Sequence, residues 1–280
     1  MSPMDSHAQS VGPVRRWPPT APSHLVPEAD RSMRVGKAFH ISGTTIAGLA
    51  SVSWRTEQGR TRSARATSEL LHEPMTRNQP SRRPSTHPLK RNTEGHYWFE
   101  QTGHHVWHES MEEYTALMFL DHSEDVAGIC TQPLRFDFAD GTHHYPDAFL
   151  QLRDGRQVVC NIRPAALVDE AAVEQFAKTA DACAQIGWSH RLIVDVPLTY
   201  RHNLDLLAAY RHHRNLPDDT LADALLGLVN EPTPFGALWA FTQRTPGPTA
   251  LAGLYNLIWH RELCFDMTAA LAMNTLVWRP

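Results

Sequence analysis

At 280 residues, with 42% hydrophobic content and a net charge of −4, the chain has material for one large domain or two small ones. No apolar run approaches the ~20 residues of a membrane-spanning helix, and the opening MSPMDSHAQSVGPVRR lacks the apolar segment of a signal peptide. The four cysteines, Cys130, Cys160, Cys183 and Cys264, form no C-x-x-C pair, which argues against a disulfide frame or zinc knuckle and for free thiols in a reducing cytoplasm.

The charge is unevenly spread. Residues 1–95 hold 14 Lys/Arg against 7 Asp/Glu, and the remaining 185 hold 12 against 23. A flexible leader is expected over 1–45 and a basic arm with short β-like pieces over 46–95, with a turn at Gly59. Within the arm, Arg77, Arg82, Arg83, Lys90 and Arg91 are candidate contacts to a polyanion such as the DNA backbone.

From 96 to about 198 the pattern alternates helix and strand. Ser110-Met-Glu-Glu113 has the S-x-x-E form of a capping box and opens a helix through Leu120. LRFDF (134–138) reads as a strand with a turn at Asp140-Gly141. Asp169 caps a helix with Val173, Phe176, Ala177, Ala180 and Cys183 on one face, ended by Gly187. RLIVDVP (191–197) is a further strand. This order predicts an α/β unit with a mixed sheet. Residues 199–280 read as mainly helical, with starts at Asp218 and Thr249 and a small terminal hairpin. Trp239, Phe241, Leu254, Tyr255 and Trp259 recur at core spacings.

The stretch YPDAFLQLRDGRQVVCNIRP (145–164) carries the chemistry. Ala148, Leu150 and Leu152 alternate along one strand, and Val158, Cys160 and Ile162 along the next. Burying both sets together requires a three-residue loop, Arg153-Asp154-Gly155, with a left-handed glycine. Asp147 then faces Asn161, with β-carbons roughly 4.5–5.5 Å apart, and Arg163 follows on the same face. Phosphodiester hydrolysis needs carboxylates to hold Mg²⁺, an activated water and a cation for the phosphate. Asp147, Asn161, Arg163 and the helix-borne Glu113 supply those residue types, with Glu109 as a second acid. Lys178 is a substitute cation if it faces back toward them. His143 and His144 lie beside Asp147. His104, His105 and His108 are a weaker, zinc-like grouping in a chain of 17 histidines. There is no Walker A loop, Rossmann glycine fingerprint or G-x-S-x-G elbow.

The run HYWFEQTGHHVWHESMEEYTALMFLDHSEDVAGICTQPLRFDF, then YPDAFLQLRDGRQVVCNIRPA and a helix ending in Gly-Trp, resembles the TnsA-like endonuclease subunit of heteromeric transposases, closest in style to actinobacterial members. The likeness covers roughly residues 50–200. It implies a restriction-endonuclease-like mixed-sheet core (96–198), a winged-helix-like domain (199–280), and Mg²⁺, with Mn²⁺ able to substitute. It also implies nicking of one strand at transposon ends beside a recombinase-type subunit, with an ATPase regulator as a further candidate partner. The metal residues carry over to Glu113, Asp147 and Asn161, and the PD-(D/E)xK lysine position falls on Arg163. Asn161 brings no charge to a metal, and Arg163 stays protonated and cannot act as a base. The alternative is a degenerate subunit that binds DNA and partner without cutting. A stand-alone nuclease of the same fold is a third reading.

Overall fold

The computed structural model describes residues 50–82, 93–246 and 249–280. Two antiparallel strands, β1 (Ser51–Arg55) and β2 (Thr61–Arg65), open it around a turn at Gly59, whose φ of +78° suits a residue without a Cβ. A second hairpin, β3 (Gly95–Phe99) and β4 (His104–His108), leads into helix α1 (Met111–Ser123). The Oγ of Ser110 accepts from the N–H of Glu113 (3.1 Å) and starts that helix as expected. The Glu113 carboxylate reaches one residue further back than a capping box requires and accepts from the N–H of Glu109 (2.9 Å).

The central sheet has the order β10-β9-β8-β5. Strands β5 (Val126–Thr131), β8 (Ala148–Leu152) and β9 (Gln157–Ile162) run antiparallel, whereas β10 (Ser189–Ile193) lies parallel to β9. The sheet is therefore mixed, and the chain is an α/β protein. Leu150 pairs with Val158 and Ala148 with Cys160. The N–H of Leu152 bonds the carbonyl of Arg156 (2.8 Å), which closes the Arg153-Asp154-Gly155 loop with Gly155 at φ +92°. That is the register deduced from the apolar pattern.

Each face of this sheet is covered. On one, Ala148, Leu150, Leu152, Val158 and Cys160 pack with Leu117 and Leu120 of α1. That core continues into the C-terminal helices through Leu204, Leu207, Leu254 and Trp259, so it crosses the expected boundary at 198/199. α1 is buried on several sides and its polar groups are accordingly paired: Nδ1 of His122 bonds the carbonyl of Trp259 (3.0 Å). On the other face, Phe149 and Val159 meet Trp188, the helix α2 (Glu170–Ile186) and a second sheet built from β2, β1, β6 (Leu134–Asp137) and β7 (His143–His144).

Two expected details shift. The buried face of α2 is Ala172, Phe176, Thr179, Cys183 and Ile186, leaving Val173, Ala177 and Ala180 half-buried. Asp169 and the left-handed Gly187 still cap it. The strand expected over 191–197 is Ser189–Ile193 instead. Pro197, which has no N–H for a ladder, stands at the N-terminus of α3 (Leu198–Ala208).

The remaining helices are α4 (Asp219–Gly227), α5 (Phe235–Arg244) and α6 (Ala250–Trp259). Asp218 caps α4 and Thr249 precedes α6, as the sequence indicates. Strands β12 (Cys264–Phe265) and β13 (Leu276–Trp278) pair antiparallel, and β11 (Thr233–Pro234) adds to β13. Leu254 and Trp259 are buried, whereas Trp239, Phe241 and Tyr255 pack partly buried against the same core. All four cysteines are free. Among the described residues no helix is long and apolar enough to cross a membrane.

Candidate active site

Asp147 stands at the N-terminal end of β8, where its N–H bonds the carbonyl of Cys160 (3.0 Å). Its Oδ2 accepts from the N–H of Ile162 (2.6 Å), which ties it across the hairpin to β9. Burial pushes its pKa up to about 7, and the charge of Glu113 pushes in the same direction. Glu113, one turn into α1, is raised as well, again first by burial and then by Glu109. Its oxygens accept from the N–H of Glu109 and, at 3.4 Å, from the hydroxyl of Ser110. The Glu113 charge thus disfavours ionisation of Asp147 from the adjacent helix.

Asn161 is 1% exposed, and its amide lies between two imidazoles. Nε2–H of His190 donates to Oδ1 (2.9 Å), while Nδ2 donates to Nε2 of His144 (2.6 Å). The same amide also bonds Asp147. Burial pushes both histidines down to about 4, so both are neutral at pH 7. Phe176 of α2 packs against both rings, at centroid distances of 6.1 and 6.4 Å. Nothing in the linear pattern joins His190 to the hairpin. Only the parallel pairing of β10 with β9, which sets Leu192 beside Asn161, brings it there.

Three expected roles change. The oxygen of Asn161, expected to face a metal, is turned to His190. Arg163, expected to face a phosphate, donates from Nε to the carbonyl of Leu167 (2.7 Å) in the turn that follows β9. Its charge still reaches His144, whose protonation it opposes. Lys178 does not face the site: its ammonium pairs with Asp140 (2.5 Å) and Glu174 (2.7 Å).

The arm divides in a similar way. Arg77 is exposed. Arg82, expected to contact DNA, lies against the acids: Nη2 donates to Oε2 of Glu109, itself only 7% exposed. Its charge also favours ionised Glu113 and Asp147. Arg83, Lys90 and Arg91 lie outside the described residues. His143 is exposed on β7, and His108 bonds the carbonyl of Ser110 (3.0 Å).

Among the described residues no three His, Cys, Asp or Glu side chains converge as a metal-holding group. Mg²⁺ asks less of a protein, since one or two carboxylates suffice when waters and substrate phosphates complete the octahedron. Asp147 and Glu113 supply two such carboxylates: their hydrogen-bonded oxygens retain lone pairs, and a divalent charge would favour the ionised forms that burial opposes in both. No family model and no curated protein matches the chain in sequence.

Proposed function

We propose that the chain is a Mg²⁺-dependent DNA endonuclease subunit of a heteromeric transposase, with a restriction-endonuclease-like core and a winged-helix-like C-terminal part. The supporting observation is that Asp147, at the open end of the β8–β9 hairpin, is a desolvated carboxylate on which the Glu113 charge acts from the adjacent helix, on a mixed sheet covered on both faces. Asp147 and Glu113 would hold the ion, which supplies a Lewis acid and an activated water. Asn161 and its two histidines orient Asp147, and Arg82 is the nearby cation that a phosphate could draw on. The subunit would act in the cytoplasm on transposon-end DNA, beside a recombinase-type subunit and an ATPase regulator.

A second reading, a subunit that binds DNA and partner without cutting, is favoured by one observation. The two positions that differ from the family pattern, Asn161 and Arg163, are both committed to internal hydrogen bonds. Strand-specific nicking of transposon-end DNA in Mg²⁺ or Mn²⁺, with the recombinase subunit present, separates the two. Cleavage by wild type that disappears in Asp147→Ala supports the nuclease. Absence of cleavage by wild type, with DNA affinity unchanged in Asp147→Ala, supports the binding subunit.

A further inference from the structure

Arg82 comes from the segment whose charge pattern points to DNA, yet its guanidinium is spent on acids. Its Nη2 is bonded to Oε2 of Glu109, and its charge acts on Glu113, Asp147 and His144. The backbone just before it is pinned to the far side of the site. Ser81 donates from N–H to the carbonyl of Gln132 (2.7 Å) and from Oγ to that of Pro133 (3.0 Å). Gln132 in turn donates its N–H to the carbonyl of Asp147 (2.9 Å). The contact is asymmetric. The Glu109 side chain is 9% exposed, whereas that of Arg82 is 48% exposed. The acid is buried, and the base lies toward solvent.

The second oxygen of Glu109, Oε1, is buried and has no hydrogen-bond partner. A buried carboxylate half-satisfied by one movable cation is an expensive arrangement. It is tolerable as one of two charge states of a pocket that exchanges cations. We infer that Arg82 is a removable counter-ion of the acidic site. It pairs with Glu109, offsets part of the charge of Glu113 and Asp147, and is released when a divalent cation enters. Once released, its planar fork is suited to a phosphate oxygen pair. By reciprocity, any phosphate that draws Arg82 away must tighten divalent binding by the same factor. Metal and DNA would then load together. This inference rests on the reading of Asp147 and Glu113 as the holders of a divalent ion.

The test is Mn²⁺ titration calorimetry on the full chain, comparing wild type with Arg82→Gln, Arg82→Lys and Asp147→Asn. Removing the competing charge in Arg82→Gln should tighten Mn²⁺ binding about tenfold, inside the usual range of coupling between two sites. Arg82→Lys, which keeps the charge, should stay near wild type, and Asp147→Asn should lose binding. Equal affinity in wild type and Arg82→Gln, both dependent on Asp147, would overturn the counter-ion and leave the metal site standing. Equal tightening in Arg82→Lys and Arg82→Gln would assign the effect to packing and also overturn it. No Mn²⁺ binding by any form would remove the metal site and the counter-ion together. Wild-type protein gives an independent reading should Arg82→Gln fail to fold. The Nε–H resonance of Arg82 should shift on Mg²⁺ saturation, and an unmoved resonance would overturn the exchange.

Discussion

Replacing Asp147 with asparagine should make the metal-free protein more stable, and more so as the pH rises. The ordinary carboxyl pKa of 3.8 is pushed up to about 7 at this position, first by burial and then by the neighbouring Glu113 charge, against the opposing pull of the Ile162 N–H. An acid with a raised folded pKa binds its proton more tightly folded than unfolded. Its contribution to stability is therefore full below pH 3.8 and is lost as the pH climbs through about 7. The whole span corresponds to roughly 4 kcal/mol, an upper bound because Asp147 keeps some solvent contact. Asparagine has no proton to lose at this position, and it still offers an oxygen to Ile162. Asp121, raised to about 6 by burial, makes wild-type stability fall over a similar window, so the difference between the two proteins carries the information. Urea unfolding in EDTA, at pH 4 and pH 8.5, should show that difference moving toward the variant by about 2–4 kcal/mol. A difference that stays constant between the two pH values would refute the account of Asp147 as a desolvated, repelled carboxylate.

Three other perturbations have defined outcomes. Asp121, 2% exposed, accepts from the hydroxyl of Tyr97 (2.9 Å) and the N–H groups of Glu100 (2.9 Å) and Gln101 (3.3 Å). Asp121→Ala strands those donors and should cost about 3–5 kcal/mol in urea unfolding, with Asp121→Asn costing clearly less; equal losses would contradict the hydrogen-bond account. A Cβ on Gly236 would come within 2.9 Å of the Met273 carbonyl oxygen, a backbone atom that cannot swing aside, so Gly236→Ala should cost about 1–3 kcal/mol, and an unchanged Tm would contradict the tight approach of α5 to the 266–275 loop. Asn161→Asp sets a second carboxylate about 5 Å from Asp147, worth roughly 3 kcal/mol of repulsion at an effective dielectric near 20. It should weaken the protein in EDTA at pH 8 and tighten Mn²⁺, and a variant as stable as wild type without metal would show that the two side chains do not meet.

The hairpin register was legible because two independent constraints agreed. Alternating apolar residues required Ala148, Leu150, Val158 and Cys160 to share a face, and only a three-residue loop with a left-handed Gly155 permits it. Caps were legible for a similar reason, since Ser110, Asp169 and Asp218 each satisfy a local donor that needs no tertiary context. The face of α2 was harder to read. Ala177 and Ala180 are apolar, but small side chains do not decide which way a helix turns. Phe176 and Ile186 do, with Thr179 hidden by bonding the carbonyl of Gln175 (2.9 Å). Nor could the sequence reveal that the 199–280 helices continue the core of the preceding unit, because Leu204 and Trp259 read as core wherever their partners lie.

The candidate site divides along the same line. Asp147 and Asn161 are brought together by pairing that the sequence dictates, but what the amide does there depends on strands and helices far away in the chain. Turned one way, the Asn161 oxygen would face Asp147 and its charge, and Nδ2 would face His190. Turned the other way, its N–H groups meet the carboxylate of Asp147 and Nε2 of His144, and its oxygen accepts from His190. The negative charge on Asp147 selects the second arrangement. Neutral histidines accommodate it, because one ring nitrogen must accept and the other must donate. An asparagine held this way is a donor that favours ionised Asp147, and it offers no oxygen to a metal. The amide whose oxygen was expected to face a metal therefore works as a donor to its neighbours. On the proposed reading any ion would fall to Asp147 and Glu113, and the amide, with His190 behind it, holds Asp147 in place.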